Sequence, residues 1–237
     1  MKKILVFGGF GFLGHYLVHE LLNRGYEVTV ADIHENEKLK SEITFIKCDI
    51  TDIGALKSAI LDASKANGGI NVLINNAAND TRHTLDDMTT EEWDQSININ
   101  LRPHFFTAQA VAPFMRTQGG GSIINFSSNS YMMGNAGLPA YVTSKAGITG
   151  LTRSLARELG VDGIRVNTLI PGWVLTERQL KLWANEKDLA IHMDKQCIKE
   201  HLLPNDLIDS TLFLASNASR MMTGQALVID GGVVVTG

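Results

Sequence analysis

Short apolar, β-branched runs alternate along this chain with segments that repeat apolar residues at helical spacing. The runs predict strands, and an apolar stripe such as Ile148, Leu151, Leu155 and Leu159 predicts a helix. The pattern gives strands at 3–7, 27–32, 43–49, 70–78, 121–128, 164–172 and 226–230, and helices at 15–25, 52–66, 91–101, 103–117 and 140–159. Strands this uniformly apolar are typical of a parallel sheet that is buried on both faces. We therefore expect an α/β fold with a doubly wound parallel sheet and helices on both faces.

The chain has 237 residues and shows no linker, repeat or low-complexity tract, so we expect a single domain over 1–237. Segment 173–204 has the weakest periodicity and is the best candidate for a mobile lid over a substrate.

The 21 Lys+Arg against 25 Asp+Glu give a net charge of −4 without a basic run, which speaks against a nucleic-acid partner. The apolar N-terminus is interrupted by glycines and too short to span a membrane. Two distant cysteines, Cys48 and Cys197, suit a cytoplasmic protein.

A glycine-rich turn, FGGFGFLG, follows the first predicted strand and opens the first predicted helix. Glycines allow the backbone to approach a pyrophosphate, and a helix N-terminus supplies N–H donors and a positive dipole. The turn therefore predicts a dinucleotide site of the Rossmann type, with a tight ligand-free turn as the alternative. The residues expected to contact the cofactor here are Gly8, Gly11, Phe12, Leu13 and Gly14.

Asp32 ends the second predicted strand, 18 residues after Gly14. A carboxylate at this place can accept hydrogen bonds from the adenosine ribose and repels a 2′-phosphate, and no arginine follows it in Ile33–Glu35. NAD is therefore favoured over NADP, unless Asp32 is an ordinary residue at a strand end. Asp49 ends the third strand, and it is expected beside the adenine together with Ile50, with a helix N-cap as the other role for Asp49.

Tyr141 and Lys145 stand four residues apart in the predicted helix 140–159, so both side chains lie on one face. A phenol with a pKa near 10 is a poor base at neutral pH, and a nearby ammonium favours the phenolate. The pair predicts a general base, Tyr141, with Lys145 also able to hold a nicotinamide ribose. The alternative is a coincidental pair on a solvated helix face. Ser128 ends the fifth strand, 13 residues before Tyr141, and can orient a substrate oxygen.

These residues together resemble the short-chain dehydrogenase/reductase family over nearly the whole chain. The resemblance implies a catalytic tetrad of Asn100, Ser128, Tyr141 and Lys145, with Asn100 holding a water in a proton relay through Lys145. The family's further motifs match NNAA at 75–78, with Ala78 in place of a glycine, PG at 171–172 with Thr176, and TGQ and DGG near the end. The implied cofactor contacts are Asn76, Ala77, Ala78, Tyr141, Lys145, Pro171, Gly172, Val174 and Thr176. The glycine spacing is that of the family's extended branch, and Phe7 stands where that pattern has threonine.

The loop after the fourth strand, NNAANDTRHTLDDMT, is unusually polar for a segment beside a nicotinamide. Each buried hydroxyl of a substrate must find a hydrogen-bond partner, so a polar wall suits a sugar better than a steroid or an acyl chain. The residues expected to contact the substrate are Asn79, Arg82, Ser128, Ser130, Tyr141 and Trp173. A solvated loop with local turns is the alternative interpretation.

Several short segments, among them the same loop, NLR at 100–102 and GIRVN at 163–167, resemble aldose 1-dehydrogenases of the xylose and arabinose type. That resemblance implies oxidation of C1 of a cyclic pentose or hexose to an aldonolactone, with hydride transfer to NAD. The alternatives are a reductase or dehydrogenase acting on another alcohol or ketone, such as a 3-oxoacyl thioester, and a non-catalytic NAD-binding regulatory protein.

Small residues, including Ala146, Gly147 and Gly150, lie along the helix that carries Tyr141. In the family, long helices commonly pair across a two-fold axis, so a homotetramer or at least a homodimer is expected. His15 and His19 have the spacing of metal ligands on a helix, but Tyr16 replaces the glutamate of the HExxH motif. We therefore expect no metal site.

Overall fold

Seven parallel strands form one sheet in this computed structural model, which describes residues 2–36, 39 and 41–235. The strand order is β3-β2-β1-β4-β5-β6-β7. The strands are β1 (Lys3–Phe7), β2 (Glu27–Asp32), β3 (Thr44–Lys47), β4 (Val72–Asn75), β5 (Gly121–Phe126), β6 (Ile164–Pro171) and β7 (Ala226–Ile229). The expected α/β class with a doubly wound parallel sheet is confirmed.

Helices cover both faces of the sheet and create two apolar cores. They are α1 (Gly14–Asn23), α2 (Ile53–Asn67), α3 (Thr90–Asn100), α4 (Arg102–Thr117), α5 (Ser130–Met133), α6 (Pro139–Leu159), α7 (Glu177–Leu182), α8 (Glu186–Lys195) and α9 (Ile208–Ala215). Helices α2, α4 and α6 bury their apolar stripes on one face, and α1 and α9 on the other. The five inner strands are thus buried from both sides, as the continuous apolar runs predicted, whereas the edge strands β3 and β7 are half-buried or exposed.

The observed elements differ from the sequence pattern mainly at their ends. Strands 43–49 and 70–78 shorten to four residues each, because parallel pairing stops where the chain turns away from the sheet. Helix α2 is capped by Asp52, whose carboxylate accepts the N–H groups of Gly54 and Ala55, so the cap is not Asp49. Helices α5, α7, α8 and α9 are too short or too weakly periodic to have been predicted. Two of them, α7 and α8, lie inside the expected lid segment 173–204.

The chain reverses its direction of travel across the sheet at β1, which pairs with β2 on one side and β4 on the other. In an open parallel sheet, a crevice forms at such a switch point, outside the carboxyl ends of the strands. The glycine turn after β1, the NNAA segment after β4 and Ser128 after β5 all lie at this edge. Within the described residues, no helix is long and apolar enough to cross a membrane.

Candidate active site

The glycine turn is held against the sheet by close backbone packing. Gly8 has a φ of 77°, and a Cβ on it would lie 2.5 Å from the Cα of Ala77. Gly14 begins α1, and a Cβ there would overlap the carbonyl oxygen of Gly8. Gly11, by contrast, has only that carbonyl oxygen nearby, 3.6 Å from its Cβ position, so its outer side is open. The turn is a close-packed cradle with one open side.

The start of α1 fits a pyrophosphate. Leu13 occupies the N-cap position, and a leucine side chain offers no acceptor to the N–H groups of the first turn. Phe12 is exposed beside it. The positive end of a helix whose N-cap side chain offers no acceptor is suited to an anion. The residues of this turn therefore fit the dinucleotide that their spacing predicted.

Asp32 lies at the carboxyl end of β2, only 8% exposed, and supports the glycine turn directly. Its carboxylate accepts the N–H of Phe10 at 2.9 Å and the N–H of His34 at 3.1 Å. Two oxygens offer about four acceptor positions, so capacity remains for ribose hydroxyls. Asp49 is exposed and accepts the N–H and hydroxyl of Thr51, while Ile50 is half-buried next to it.

The segment after β4 joins the glycine turn to the catalytic end of the crevice. The Asn76 side-chain amide donates to the Gly8 carbonyl at 2.8 Å, and the N–H groups of Asn76 and Ala77 both donate to the carbonyl of Phe7. Ala78 and Asn79 are exposed beyond it. These contacts explain the NNA motif, because Asn76 fixes the turn that must face the cofactor.

The segment after β6 forms the opposite wall. A Cβ on Gly172 would lie 2.6 Å from the Cβ of Asp230, so position 172 has room only for glycine. Pro171 and Val174 are buried, and the Thr176 hydroxyl accepts the N–H of Gln179 and caps α7. The structure thus places the predicted residues from 171 to 176 on one continuous stretch that leads from the sheet into α7.

Tyr141, Lys145 and Ser128 meet at the crevice. The Ser128 hydroxyl lies beside the Tyr141 phenol and lowers its pKa. The Nζ of Lys145 lies 5.3 Å from the centroid of the Tyr141 ring and donates to the Phe126 carbonyl at 2.9 Å. The Lys145 carbonyl in turn accepts the Ser127 hydroxyl, so β5 and α6 are locked at this point. The i, i+4 placement expected from the sequence is observed.

The pKa values in this cluster are governed by burial. Lys145 is 1% exposed, and burial lowers the pKa of its ammonium to about 7, although Asp80 acts in the other direction. Burial also raises the pKa of Tyr141, as does the negative charge of Asp80, while the Ser128 hydrogen bond and Arg178 lower it. Desolvation disfavours the charged forms of both residues in this structure, and the activation of Tyr141 by the Lys145 ammonium stays a prediction.

Asn100 is fully buried at the end of α3, and its side chain forms two hydrogen bonds with the backbone of Asn79. Its Oδ1 accepts the Asn79 N–H and its Nδ2 donates to the Asn79 carbonyl, both at 2.9 Å. The side chain also donates to Ser96 at 3.2 Å. Asn100 therefore anchors the polar loop beside Tyr141, a role that its place in the sequence did not indicate.

The polar loop is joined to α7 by side chains from both. Asp80 forms an ion pair with Arg178 and accepts the Gln179 side-chain amide at 2.9 Å. The guanidinium of Arg82 lies 4.0 Å from the centroid of the Trp183 ring. Arg82 is therefore engaged with α7's C-terminal end.

Two residues predicted to contact the substrate, Trp173 and Ser130, differ in the hydrogen bonding of their polar groups. The Trp173 indole N–H donates to Gln179 at 3.0 Å, so its polar edge is already occupied. Ser130 is 5% exposed, and its hydroxyl has no hydrogen-bond partner among the described residues.

The comparisons with known proteins agree with this geometry. The family described as Enoyl-(Acyl carrier protein) reductase matches residues 13–234. The chain belongs to the short-chain dehydrogenase/reductase family. It is accordingly an oxidoreductase that acts on CH–OH groups with NAD(P), as the motifs predicted.

Two similar relatives carry the names of sugar dehydrogenases. The "Probable galactose dehydrogenase GalD" of Rhizobium meliloti (strain 1021) is 45% identical over 98% of this chain and 94% of its own. The "D-xylose 1-dehydrogenase" of Caulobacter vibrioides (strain NA1000 / CB15N) is 40% identical over 98% of this chain and 95% of its own. The solved structure of TT0495 protein from Thermus thermophilus superposes with a TM-score of 0.91 at 32% identity, covering 98% of each chain.

Two features of this short-chain dehydrogenase/reductase's site were missed from the sequence. The ion pair between Asp80 and Arg178 was missed because the two residues lie 98 positions apart. His104 lies in α4, 2% exposed, with neither ring nitrogen hydrogen-bonded to any described residue. Burial and, secondarily, the charge of Lys145 lower the pKa of His104 to about 3. The predicted helix 103–117 contains His104, but the sequence pattern did not indicate the burial of its imidazole.

His104 also borders a cavity of about 10 Å³, the space of a single buried water. The cavity is lined by Phe7, Ile50, Asn75, Ala77, Pro103, His104 and Thr107. No group of three His, Cys, Asp or Glu residues in the described part of the chain is placed to hold a metal ion.

Proposed function

We propose that this protein oxidises C1 of a cyclic aldose, a pentose or hexose, to an aldonolactone with NAD. The observation that carries the proposal is the polar wall beside Tyr141, formed by Asn79, Asp80 and Arg82 and tied to α7. A wall of this kind can satisfy several hydroxyl groups, which an acyl chain or a steroid does not carry. Two relatives at 40–45% identity with sugar-dehydrogenase names support the same choice.

The chain's own residues supply the acid–base chemistry. Ser128 donates to the O1 oxygen of the sugar and holds it against Tyr141. Tyr141 removes the O1 proton as general base. A bound NAD supplies the acceptor for the hydride that leaves C1. The Lys145 ammonium holds the nicotinamide ribose, and Asn100 keeps the polar loop at a fixed distance through Asn79.

The remaining sugar hydroxyls require partners in the pocket. Ser130 offers a buried hydroxyl and Trp183 a buried indole N–H, both without a partner among the described residues. An unpaired buried donor costs about 1–3 kcal/mol, so a ligand that satisfies it gains affinity and specificity. Asn79 and Arg82, both exposed at the mouth, complete the proposed sugar contacts together with the stacking face of Trp173.

Preference for NAD over NADP is part of the proposal. Asp32 holds its carboxylate at the end of β2, where the adenosine ribose of a dinucleotide lies in this fold. Its charge favours ribose hydroxyls and opposes a phosphate. The following residues, Ile33 and His34, provide no guanidinium that would balance a 2′-phosphate.

A reductase acting on a 3-oxoacyl thioester is the second candidate, since the matching family is described as an enoyl-(acyl carrier protein) reductase. Such an enzyme needs an apolar channel for the acyl chain. The polar contacts between Asp80, Arg178 and Gln179 favour a polar substrate over an acyl chain.

The test is a substrate panel followed at the absorbance of NADH. The panel contains pentoses, hexoses, polyols and 3-hydroxyacyl thioesters, each with NAD and with NADP. Turnover of an aldose with NAD, and hydrolysis of the product to an aldonic acid, supports the proposal. Turnover of thioesters but of no aldose overturns the sugar assignment while retaining the Tyr141 chemistry.

We further propose a homotetramer or homodimer that works in the cytoplasm. A Cβ on Gly150 of α6 would meet no atom within 4 Å, so this side of the helix is open to a neighbouring helix. Light scattering after gel filtration tests the assembly, and a monomer would contradict it.

A further inference from the structure

Helix α7 rests on the active site through polar contacts. All of its residues, Glu177–Leu182, are exposed or half-buried, and the same holds for α8, Glu186–Lys195. An apolar face would bind these helices permanently to the body of the protein. The seam formed by Asp80 with Arg178 and Gln179 is partly buried, with the Asp80 and Arg178 side chains 22% and 29% exposed, and its hydrogen bonds and ion pair can be exchanged for water at a modest net cost. The docking of α7 is therefore readily reversible.

The other side of this seam is rigid. Asn79 is held at both its N–H and its carbonyl by the fully buried Asn100. The N–H of His83 donates to the Gly137 carbonyl, which ties the loop to the approach of α6. Asp80, directly after Asn79, is thus a fixed negative charge at the catalytic cluster, whether or not α7 is docked.

Arg178 and Gln179 of α7 meet this fixed carboxylate in two chemically different ways. Arg178 brings a full positive charge to Asp80 as an ion pair. Gln179 brings a neutral amide, which donates to Asp80 at 2.9 Å, while its oxygen accepts the Trp173 indole N–H. Both residues hold α7 in place, but only Arg178 changes the charge beside Tyr141.

We propose that Arg178 is a positioning residue that couples the docking of α7 to the activation of Tyr141, by neutralising Asp80 only when the helix is in place. With α7 undocked, the unpaired Asp80 carboxylate opposes the phenolate of Tyr141. With α7 docked over a substrate, the positive charge of Arg178 offsets part of that opposition. The base is then more competent in the closed site than in the open one. The inference rests on the proposed role of Tyr141 as general base, but not on the identity of the alcohol.

The groups that act on Tyr141 have the directions that this coupling requires. Asp80 raises the pKa of the phenol, and Arg178 lowers it. Ser128 lowers it as well, through a hydrogen bond that does not depend on α7. Lys145, 5.3 Å from the ring centroid, is anchored to the Phe126 carbonyl and is equally independent of α7. Of these groups, only Arg178 belongs to α7.

The test compares pH profiles of kcat for alcohol oxidation in Arg178→Gln, Arg178→Lys, Asp80→Asn and the double variant, with Gln179→Leu as the matched control. Oxidation requires the phenolate, so kcat rises with pH around the pKa of Tyr141 in the ternary complex. Arg178→Gln should move this midpoint upward by about 0.5–1 pH unit, because Asp80 is left unpaired. Asp80→Asn should move it downward, the double variant should follow Asp80→Asn, and Arg178→Lys should restore most of the wild-type midpoint.

The control separates charge from docking. Gln179→Leu weakens the seam without altering its charge, so it should raise KM and leave the midpoint in place at saturating substrate. Two results would overturn the proposal. In the first, Arg178→Gln loses activity but the midpoint of its kcat–pH profile is unchanged. In the second, the midpoint shifts of Arg178→Gln and Asp80→Asn simply add in the double variant, which would show that Arg178 only holds the helix.

A second measurement requires no substrate. Limited proteolysis within 173–204 reports how often α7 leaves its docked position. Arg178→Gln and Gln179→Leu should both accelerate cleavage several-fold relative to wild type. Unchanged cleavage in both variants would show that the seam does not control docking and would overturn the coupling. If the sugar panel fails but another alcohol is oxidised, the pH profiles are measured with that alcohol, so the two proposals fail separately.

Discussion

The first residue of α1, Gly14, faces the carbonyl oxygen of Gly8 so closely that a Cβ on Gly14 would overlap it. This contact brings the start of the helix against the end of β1. The same would-be Cβ lies 2.9 Å from the Cα of Gly9, so the obstruction is backbone on both sides and cannot rotate away. The shape of the dinucleotide cradle therefore depends on the absence of one methyl group.

We expect Gly14→Ala to lower the free energy of unfolding by about 1–3 kcal/mol, since a methyl group is forced into packed backbone. NADH binding should be lost or strongly weakened, because the helix start must move. Urea unfolding and NADH titration measure the two effects. Gly11→Ala is the matched control: its Cβ lies 3.6 Å from the nearest atom, an ordinary contact, and its stability should stay close to wild type. Equal destabilisation in both variants would contradict this account.

Tyr141→Phe should reduce kcat by about 10²–10⁴-fold, the range expected when a general base is removed. The ring and its packing over Lys145 are retained, so NADH binding should remain near wild type. Steady-state kinetics and a binding titration separate the two effects. Retention of wild-type turnover would exclude Tyr141 as the base, and a parallel loss of NADH binding would point to a collapsed site.

Asp32→Ala and Asp32→Asn should both narrow the preference for NAD over NADP. A charge-assisted hydrogen bond contributes about 1.5–3 kcal/mol, which corresponds to about a 10–100-fold change in kcat/KM for NAD. The alanine variant should also be less stable, because the N–H groups of Phe10 and His34 lose their acceptor. The ratio of kcat/KM for the two cofactors is the readout, and equal losses with both would remove Asp32 from cofactor choice.

His104 should make the protein sensitive to mild acid. Its pKa is about 3 in the folded chain, against an ordinary value of 6.5, so the unfolded state binds the proton more readily between these values. Stability therefore falls as the pH drops through 6.5 towards 3. Between pH 7 and pH 5, wild type should lose about 2 kcal/mol more of its free energy of unfolding than His104→Leu. Urea unfolding at both pH values tests this, and parallel losses would show that the imidazole is not buried in its neutral form.

The local sequence pattern was sufficient to identify the strands of the sheet, and it predicted the cofactor end of the site. β1 and β2 begin and end at the residues that the apolar runs indicated, because a strand buried on both faces needs an unbroken apolar run. The glycine turn and the pair Tyr141 and Lys145 were also found from spacing alone. Their geometry is that of one turn or one helix face, and neighbours in sequence fix it.

Contacts between elements that are far apart in the chain could not be predicted from the spacing of residues in the sequence. The grip of Asn100 on Asn79, the ion pair between Asp80 and Arg178, and the burial of His104 each depend on elements far apart in sequence. The pKa of Tyr141 shows the consequence. An ammonium four residues away suggested a lower pKa, but the depth of the site and the charge of Asp80 raise it.

The sequence by itself determined the strand–helix alternation and the family, and it predicted the dinucleotide turn and the tetrad, because these features depend on motifs within short segments of the chain. Only the tertiary structure decided which polar side chains surround Tyr141 and how α7 rests on them. Desolvation and charge–charge interactions depend on distances through space, and the fold sets those distances when it brings the ends of β4, β5 and β6 to one edge of the sheet.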